Sequence, residues 1–490
     1  MELQEIKNKG ITGVLWSTAG KFSIHLVTFG VTIVLARLLA PADFGLVSMA
    51  MVFIYFTQTF MDFGLTSAVI QKKNPTETQI NTVFYISLVL GIFLMLMMIV
   101  CAPAIGKFYD NPEVGKIARF VSYSYVILAL SGLQRALMSK RLEIKTLALI
   151  NIVSAIVQGA SGIILAFKGF GAWSIVYSVF LGSTTSTIIL WCKSSWRPKL
   201  LFKLAEIKDM FFFGFKMFLA GILNAVYAKI DEMLIGKVFD SATLGFYYRS
   251  KSFNNLITTY SSQGLNSIFF PIISSLQDDL EKVNKVVIKS VEMVSFLVFA
   301  LTGLLYLNAE SLIVLLFGEK WLPSVGYFQV LAFIAYAYPV SIILVNVLSG
   351  MGKAGSFLKL EIWKKILGLS GMGLGFIWGM YGFLWALVIT GTLGVMLNMW
   401  YVQKTTGLKF KILFFAVIKY AVQTFVFTFA VWFLNLYLPH NLWLLLGINT
   451  TLFSVSYFLC NFALKTSGFL YVKDIFMSKI WNKISSRTRR

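Results

Sequence analysis

LARLLAPADFG at residues 35–45 and IGKVFDSATLG at residues 235–245 align at a shift of 200. Extended without gaps to residue 67, the shift pairs seven identities: Ala42/Ala242, Gly45/Gly245, Phe53/Phe253, Thr59/Thr259, Gly64/Gly264, Leu65/Leu265 and Ser67/Ser267. Arg37 meets Lys237, and the last three identities fall in GLTS and GLNS, at matching ends of a helix. The register predicts a duplicated unit. The copies also differ. LVSMAMVFIYF (46–56) faces FYYRSKSFNNL (246–256), so Met49, Met51, Ile54 and Tyr55 become Arg249, Lys251, Asn254 and Asn255. The second copy must face water or a polar ligand where the first need not.

The duplicated unit is a set of membrane helices. Of 490 residues, 58% are hydrophobic and only 13% charged, with a mean hydropathy of +0.77. A soluble chain of this length needs far more charge to cover its surface. A bilayer core takes about 20 apolar residues as helix. That template predicts fourteen spans at 11–38, 43–70, 79–105, 113–138, 144–167, 170–192, 210–236, 242–270, 286–308, 325–348, 355–377, 380–402, 411–436 and 442–464. AESLIVLLFGEKWL (309–322) is too short to span and is expected at the interface. MELQEIKNKG is polar, and the apolar run behind it is too long for a signal h-region, so the first run is expected to remain as a span.

Six spans lie between the repeat copies. An even number makes the copies parallel, with halves related by a pseudo-twofold axis along the membrane normal. The expected organisation is an all-α polytopic protein: a six-helix lobe over 1–200, a second over 201–404, two further helices over 405–464, and a basic cytoplasmic tail over 465–490. Counting Lys and Arg outside the spans gives 27 on one side and four on the other. This asymmetry predicts that both termini are cytoplasmic. The same distribution argues against nucleic acid as the partner of the +22 net charge, because basic residues punctuate apolar runs instead of forming one patch.

Ionisable residues within spans mark function more often than architecture. Lys21 and His25 are four apart and share a face of the first span, about 15 Å in at 1.5 Å per residue. In AVYAKIDEMLIG (225–236), Lys229, Asp231 and Glu232 interrupt an apolar run. Asp231 and Arg249 are equidistant from the turn near Asp240, which suggests a structural clamp across a helical hairpin. Glu232 can satisfy Lys229 at i,i+3, whereas Lys251 has no evident local partner. Lys216 and Lys419 lie about two turns inside their spans and Arg135 near a cytoplasmic end, and all three are expected to snorkel. Lys364 and Lys365 are placed at the inner end of the eleventh span. Within the spans, cations outnumber the acids Asp62, Asp231, Glu232 and Glu361. A net positive lining suits an anionic substrate, with Lys and Arg on phosphate oxygens. The expected contacts are Lys21, Lys229, Lys251 and Arg249. His25, Asn254 and Asn255 are expected to add polar lining, and Asp231, Glu232 and Asp62 to act as ion-pair or coupling groups. Cys101, Cys192 and Cys460 show no metal-ligand spacing. There is no P-loop, G-x-S-x-G or H-E-x-x-H, and no loop long enough for a soluble catalytic domain. Neither catalysis nor a cofactor is expected.

LARLLAPADFGLVSMAMVF, MDFGLTSAVIQKK, GFGAWSIV (169–176), SSWRPKL (194–200), KIDEMLIGKVFDSATLGFYYRS (229–250), FFPIISSLQDD (269–279) and MGKAGSF (351–357) together resemble the Wzx/WzxC-type polysaccharide flippases. These belong to the multidrug/oligosaccharidyl-lipid/polysaccharide exporter superfamily. The resemblance runs through spans one to twelve. The family's motif positions map onto Pro41, Asp43, Gly45, Asp62, Gly64, Asp231, Gly236, Gly245, Tyr247 and Pro271. It implies a bacterial inner-membrane protein of fourteen helices in two lobes. The implied substrate is an undecaprenyl-diphosphate-linked oligosaccharide, moved to the periplasmic leaflet by alternating access for lipopolysaccharide or exopolysaccharide synthesis. Membrane lipids and the pathway's polymerase and chain-length proteins are the implied partners. The competing reading is a cation-coupled multidrug antiporter of the same superfamily, which would favour a carboxylate-rich cavity. A membrane glycosyltransferase would be expected to carry a large loop.

Reporters active on only one side of the membrane, fused at positions 75, 200, 280 and 480, should all give the cytoplasmic signal. A periplasmic signal at any of the four would overturn the map.

Overall fold

The computed structural model describes residues 2–62 and 64–474. The side chains of 2–15, 17–19, 62, 212–214, 216–217, 219–226, 255–264 and 266–268 lie outside the described set. Asp62, Asn255 and Lys216 are therefore placed by backbone alone, and the tail beyond residue 474 is outside the described residues.

Eighteen α-helices run through the described chain. They are α1 (Glu2–Leu38), α2 (Pro41–Asp62), α3 (Leu65–Gln71), α4 (Glu77–Phe108), α5 (Pro112–Val121), α6 (Ser124–Lys140), α7 (Ile144–Phe167), α8 (Ala172–Lys193) and α9 (Lys208–Val238). There follow α10 (Ser241–Ser275), α11 (Leu280–Leu307), α12 (Ala309–Phe317), α13 (Ser324–Ile334), α14 (Ala337–Gly350), α15 (Ala354–Gly375), α16 (Gly379–Thr406), α17 (Phe410–Asn435) and α18 (Leu442–Ala463). All fourteen sequence-predicted spans are present as helix. The second, fourth and tenth are each broken into two pieces (α2 and α3, α5 and α6, α13 and α14). The segment over 309–322 is the short helix α12 and a 3-10 turn.

Local chemistry sets the helix starts. Thr76 and Gln79 form a reciprocal capping box at the head of α4, with Gln79 N donating to Thr76 Oγ1 at 3.2 Å and Thr76 N to Gln79 Oε1 at 3.1 Å. Pro112 opens α5, where a missing N–H costs nothing, and Asn111 caps it. Asp43 serves two helices. Its Oδ2 accepts from Ala40 N at 2.9 Å and its Oδ1 from Ala172 N at 3.0 Å, tying the start of α2 to the start of α8.

By internal contacts the chain forms two compact units, residues 1–248 and 249–490. In the first, α7 packs on α1 and α8, α4 on α5 and α6, and α9 on α2. Leu65, Val69, Phe84, Leu133 and Met210 fill one of its cores. In the second, α11 packs on α14, α17 and α18, around Phe296, Val340, Tyr420, Phe453 and Tyr457.

Both copies of the repeat motif meet inside the first unit. A Cβ on Gly45 would collide with the carbonyl oxygen of Ser241, and a Cβ on Gly245 with the carbonyl oxygen of Pro41. Pro41 aligns with Ser241, and Gly45 with Gly245, at the shift of 200. The contact is therefore reciprocal, as at a twofold interface: residue i of one copy meets residue j of the other, and j meets i. Only glycine permits helix starts to approach this closely.

Two charged groups behave differently from the expectation of snorkelling. Lys419 Nζ pairs with Glu292 Oε1 at 2.6 Å, joining α17 to α11. Arg135 donates to Asn151 Oδ1 and Ser186 Oγ, each at 2.9 Å, joining α6 to α7 and α8. Inside a helix bundle a nearby acceptor is a shorter route to solvation than reaching the interface.

Gly45→Ala and Gly245→Ala should each lower the detergent melting temperature, by overpacking worth about 1–3 kcal/mol. Gly447→Ala in α18, where a Cβ meets nothing within 4 Å, should be neutral or slightly stabilising, because alanine is the better helix former by about 1 kcal/mol. Melting of both contact variants at or above the parent value would refute the close approach. Lys419→Met should strand the Glu292 carboxylate. Because Lys419 keeps 32% side-chain exposure, the cost should fall below the roughly 3–5 kcal/mol of a fully buried pair, and Glu292→Gln in the same chain should restore most of the lost melting temperature.

Candidate functional site

The charges of the first unit concentrate on α9. Its spacing places Lys229 and Glu232 on one face, one turn apart. Lys229 Nζ lies 2.7 Å from Glu232 Oε1 and 2.8 Å from Oε2. From α2, Ser48 Oγ donates to Glu232 Oε2 at 3.0 Å. The next residue points elsewhere: Asp231 Oδ2 accepts from Tyr247 Oη at 2.6 Å, a short, charge-assisted bond from the first turns of α10. Asp231, Glu232 and Tyr247 are all buried. Each carboxylate thus meets a hydroxyl from another helix, and Lys229 adds an ammonium to one of them.

The pair is lopsided. Glu232 is closed off, its side chain 3% exposed, whereas that of Lys229 is 25% exposed. The Lys229 ammonium also stands 5.9 Å from the centroid of the Tyr55 ring, which is itself exposed. Tyr109 ends α4 with its hydroxyl buried and without a hydrogen-bond partner among the described residues. Burial, and secondarily the charge of Glu232, push its phenol well above the ordinary tyrosine range.

On α1, Lys21 and His25 are both exposed and share a face. No carboxylate among the described residues pairs with Lys21. Lys21 and Lys229 are therefore the cations of the predicted set that this unit offers to a ligand. The structure does not bring them into a common hydrogen-bonded cluster.

In the second unit, Arg249 is buried with its guanidinium carbon 4.8 Å from the Phe317 ring and 5.0 Å from the Trp321 ring. This is cation–π geometry. The following residues reach the neighbouring helix α13 and its cap. Ser250 Oγ donates to Ser324 O at 2.9 Å, and Asn254 Nδ2 donates to Leu331 O at 3.3 Å. Lys251 is half-buried. Arg249 and Asn254 are thereby held against α12 and α13, so they serve packing at least as much as lining. Lys364 pairs with Glu361 at 2.5 Å on its own helix. A cleft of about 800 Å³ opens between α11, α13, α16 and α17. Its wall is apolar, with Phe333, Trp385, Met396 and Phe425 among its lining, and Thr302, Thr392 and Thr428 supply hydroxyls.

Sequence reading missed Ser48, Tyr247 and Glu292 as partners of the buried charges, and missed that the Tyr109 hydroxyl is buried. Glu292 stands within the ninth predicted span, so its charge alone was a signal. Ser48 and Tyr247 are ordinary span residues whose partners lie on another helix, and Tyr109 stands just past the end of α4. Among the described residues, no cluster of three or more His, Cys, Asp or Glu side chains could hold a metal ion.

A membrane protein of the cps region of Klebsiella pneumoniae is 28% identical to this chain over 77% of it and 80% of that protein. The lipopolysaccharide biosynthesis protein WzxC of Escherichia coli strain K12 is 23% identical over 76% of each. Among solved structures, the Lipid II flippase MurJ in an inward closed conformation shares the fold with a TM-score of 0.72, covering 92% of this chain and 99% of that one at 12% identity. The family described as polysaccharide biosynthesis protein matches residues 34–326, well over half of the 490, and this multi-pass membrane protein belongs to that family.

Proposed function

We propose that the protein moves polyprenyl-diphosphate-linked oligosaccharide units from the cytoplasmic to the periplasmic leaflet of a bacterial inner membrane, by alternating access and without making or breaking covalent bonds. On this reading both termini lie in the cytoplasm, as the excess of Lys and Arg on that side suggests. The observation that carries the reading is Lys21: a cation within a membrane helix, exposed, with no carboxylate partner among the described residues. An intramembrane cation left without a counter-ion is expensive unless an anion or water completes it. Membership of a polysaccharide biosynthesis family and a fold shared with the Lipid II flippase MurJ support a phosphorylated lipid as that anion. Lys229 is assigned to the same diphosphate, and Lys251 to an anion contact made by the second unit. The apolar cleft of the second unit has the chemistry for part of the prenyl chain. A cationic drug would find a net positive lining in its way.

Reconstituted into liposomes, the protein should speed transfer of a labelled polyprenyl-diphosphate oligosaccharide between leaflets relative to empty vesicles, leaving its linkages intact. Absence of transfer, or cleaved glycosidic or phosphate bonds, would defeat the proposal. The double variant Lys21→Ala, Lys251→Ala should lose transfer by about tenfold or more, the order expected for losing charge-assisted phosphate contacts, with abundance and melting temperature near the parent. Transfer close to normal in that variant would remove the lysines from the site.

A further inference from the structure

Lys229 is the most accessible charge of the α9 network, and it is already occupied. Both oxygens of Glu232 hold its ammonium, at 2.7 and 2.8 Å. A carboxylate gripping an ammonium with two oxygens presents the same face as two oxygens of a phosphoryl group. The two ends of the pair sit in different surroundings. The lysine end is part-exposed beside the Tyr55 ring. The glutamate end is sealed and anchored to α2 through Ser48. An incoming anion can therefore reach the cation without moving a helix, by rotation of one long side chain.

Displacing Glu232 from its ammonium creates a difficulty. A buried carboxylate that gives up an ammonium needs another donor in its place. The fold holds an unused donor against the same face of α9. Tyr109 is 6% exposed, and its hydroxyl has no partner among the described residues. Buried hydroxyls of this kind are rare and call for a reason. Its ring lies against Gly236, where a Cβ would come within 3.0 Å of Tyr109 Cε1. Gly236 is four residues beyond Glu232, hence on the same face of α9, one turn along. The hydroxyl feels the Glu232 charge and stays protonated at any working pH, so it remains a donor.

We propose that Glu232 is a built-in competitor for the phosphoryl anion at Lys229. Substrate phosphate takes the ammonium, and the freed carboxylate is held by the hydroxyls of Tyr109 and Ser48. The exchange makes Glu232 a specificity residue. A ligand must outbid a carboxylate that already holds Lys229 through two oxygens, which favours a diphosphate over a monophosphate. The inference rests on the reading of the substrate as a phosphorylated lipid.

Purified full-length protein in nanodiscs would be titrated with farnesyl diphosphate and with farnesyl monophosphate, and its melting temperature followed in parallel. The parent should prefer the diphosphate. Glu232→Gln should tighten both ligands by about tenfold, the order set by removing one charge-assisted contact, and the monophosphate should gain at least as much, so the preference narrows. Tyr109→Phe and Ser48→Ala should each weaken binding severalfold without lowering the melting temperature to match. The gain from Glu232→Gln should vanish in a Lys229→Gln background. Unchanged affinity in Glu232→Gln, or a gain that persists without Lys229, would overturn the proposal. Should Glu232→Gln fail to fold, unchanged binding in both hydroxyl variants would overturn it instead. A parent that binds neither ligand removes the phosphorylated-lipid reading and this inference together, whereas a parent that binds both with Glu232→Gln identical to it removes only the inference.

Discussion

A charge inside a membrane protein has to be solvated by the protein, and that requirement organises what surrounds α9. Lys229 is answered by Glu232, Glu232 also by Ser48, and Asp231 by Tyr247. These partners come from α2 and α10 as well as from α9 itself. Satisfying the charges therefore fixes how those helices sit together within the first unit. Interhelical hydrogen bonds in such bundles are individually modest. Their value here is geometric: each has one solution, and a slipped helix would leave a carboxylate uncovered.

The second unit meets the same requirement by different means. Arg249 lies over two aromatic rings, and Glu292 is met by Lys419 from α17. An aromatic face stabilises a cation without neutralising it, whereas an ion pair removes the net charge. The ion pair between α11 and α17 cancels its charge where it stands.

The spans were legible because hydropathy over about 20 residues is a strong, local signal. The Lys229–Glu232 pair was legible for the same reason at smaller scale, since three residues apart on a helix means adjacent in space. Glu292 and Lys419 are separated by 127 positions, and Ser48 and Glu232 by 184. Nothing periodic connects such pairs. Tyr109 was invisible in a different way, because an aromatic residue at a helix end reads as an interfacial anchor. Its role emerges only once its hydroxyl is seen to be buried and unused. Arg135 was misread as snorkelling because the acceptors Asn151 and Ser186 belong to helices that the sequence cannot place beside it.

The reciprocal contact between the repeat copies is made by backbone carbonyls and by the absence of side chains. Such a joint asks nothing of the residues around it beyond two glycines and the correct helix starts. The two copies have therefore been free to diverge one turn further on, where one has Met49 and Met51 and the other Arg249 and Lys251. Inheritance of this kind leaves a faint written record, a few glycines in register amid unrelated letters. A duplication can in this way persist as architecture after it has nearly vanished as text.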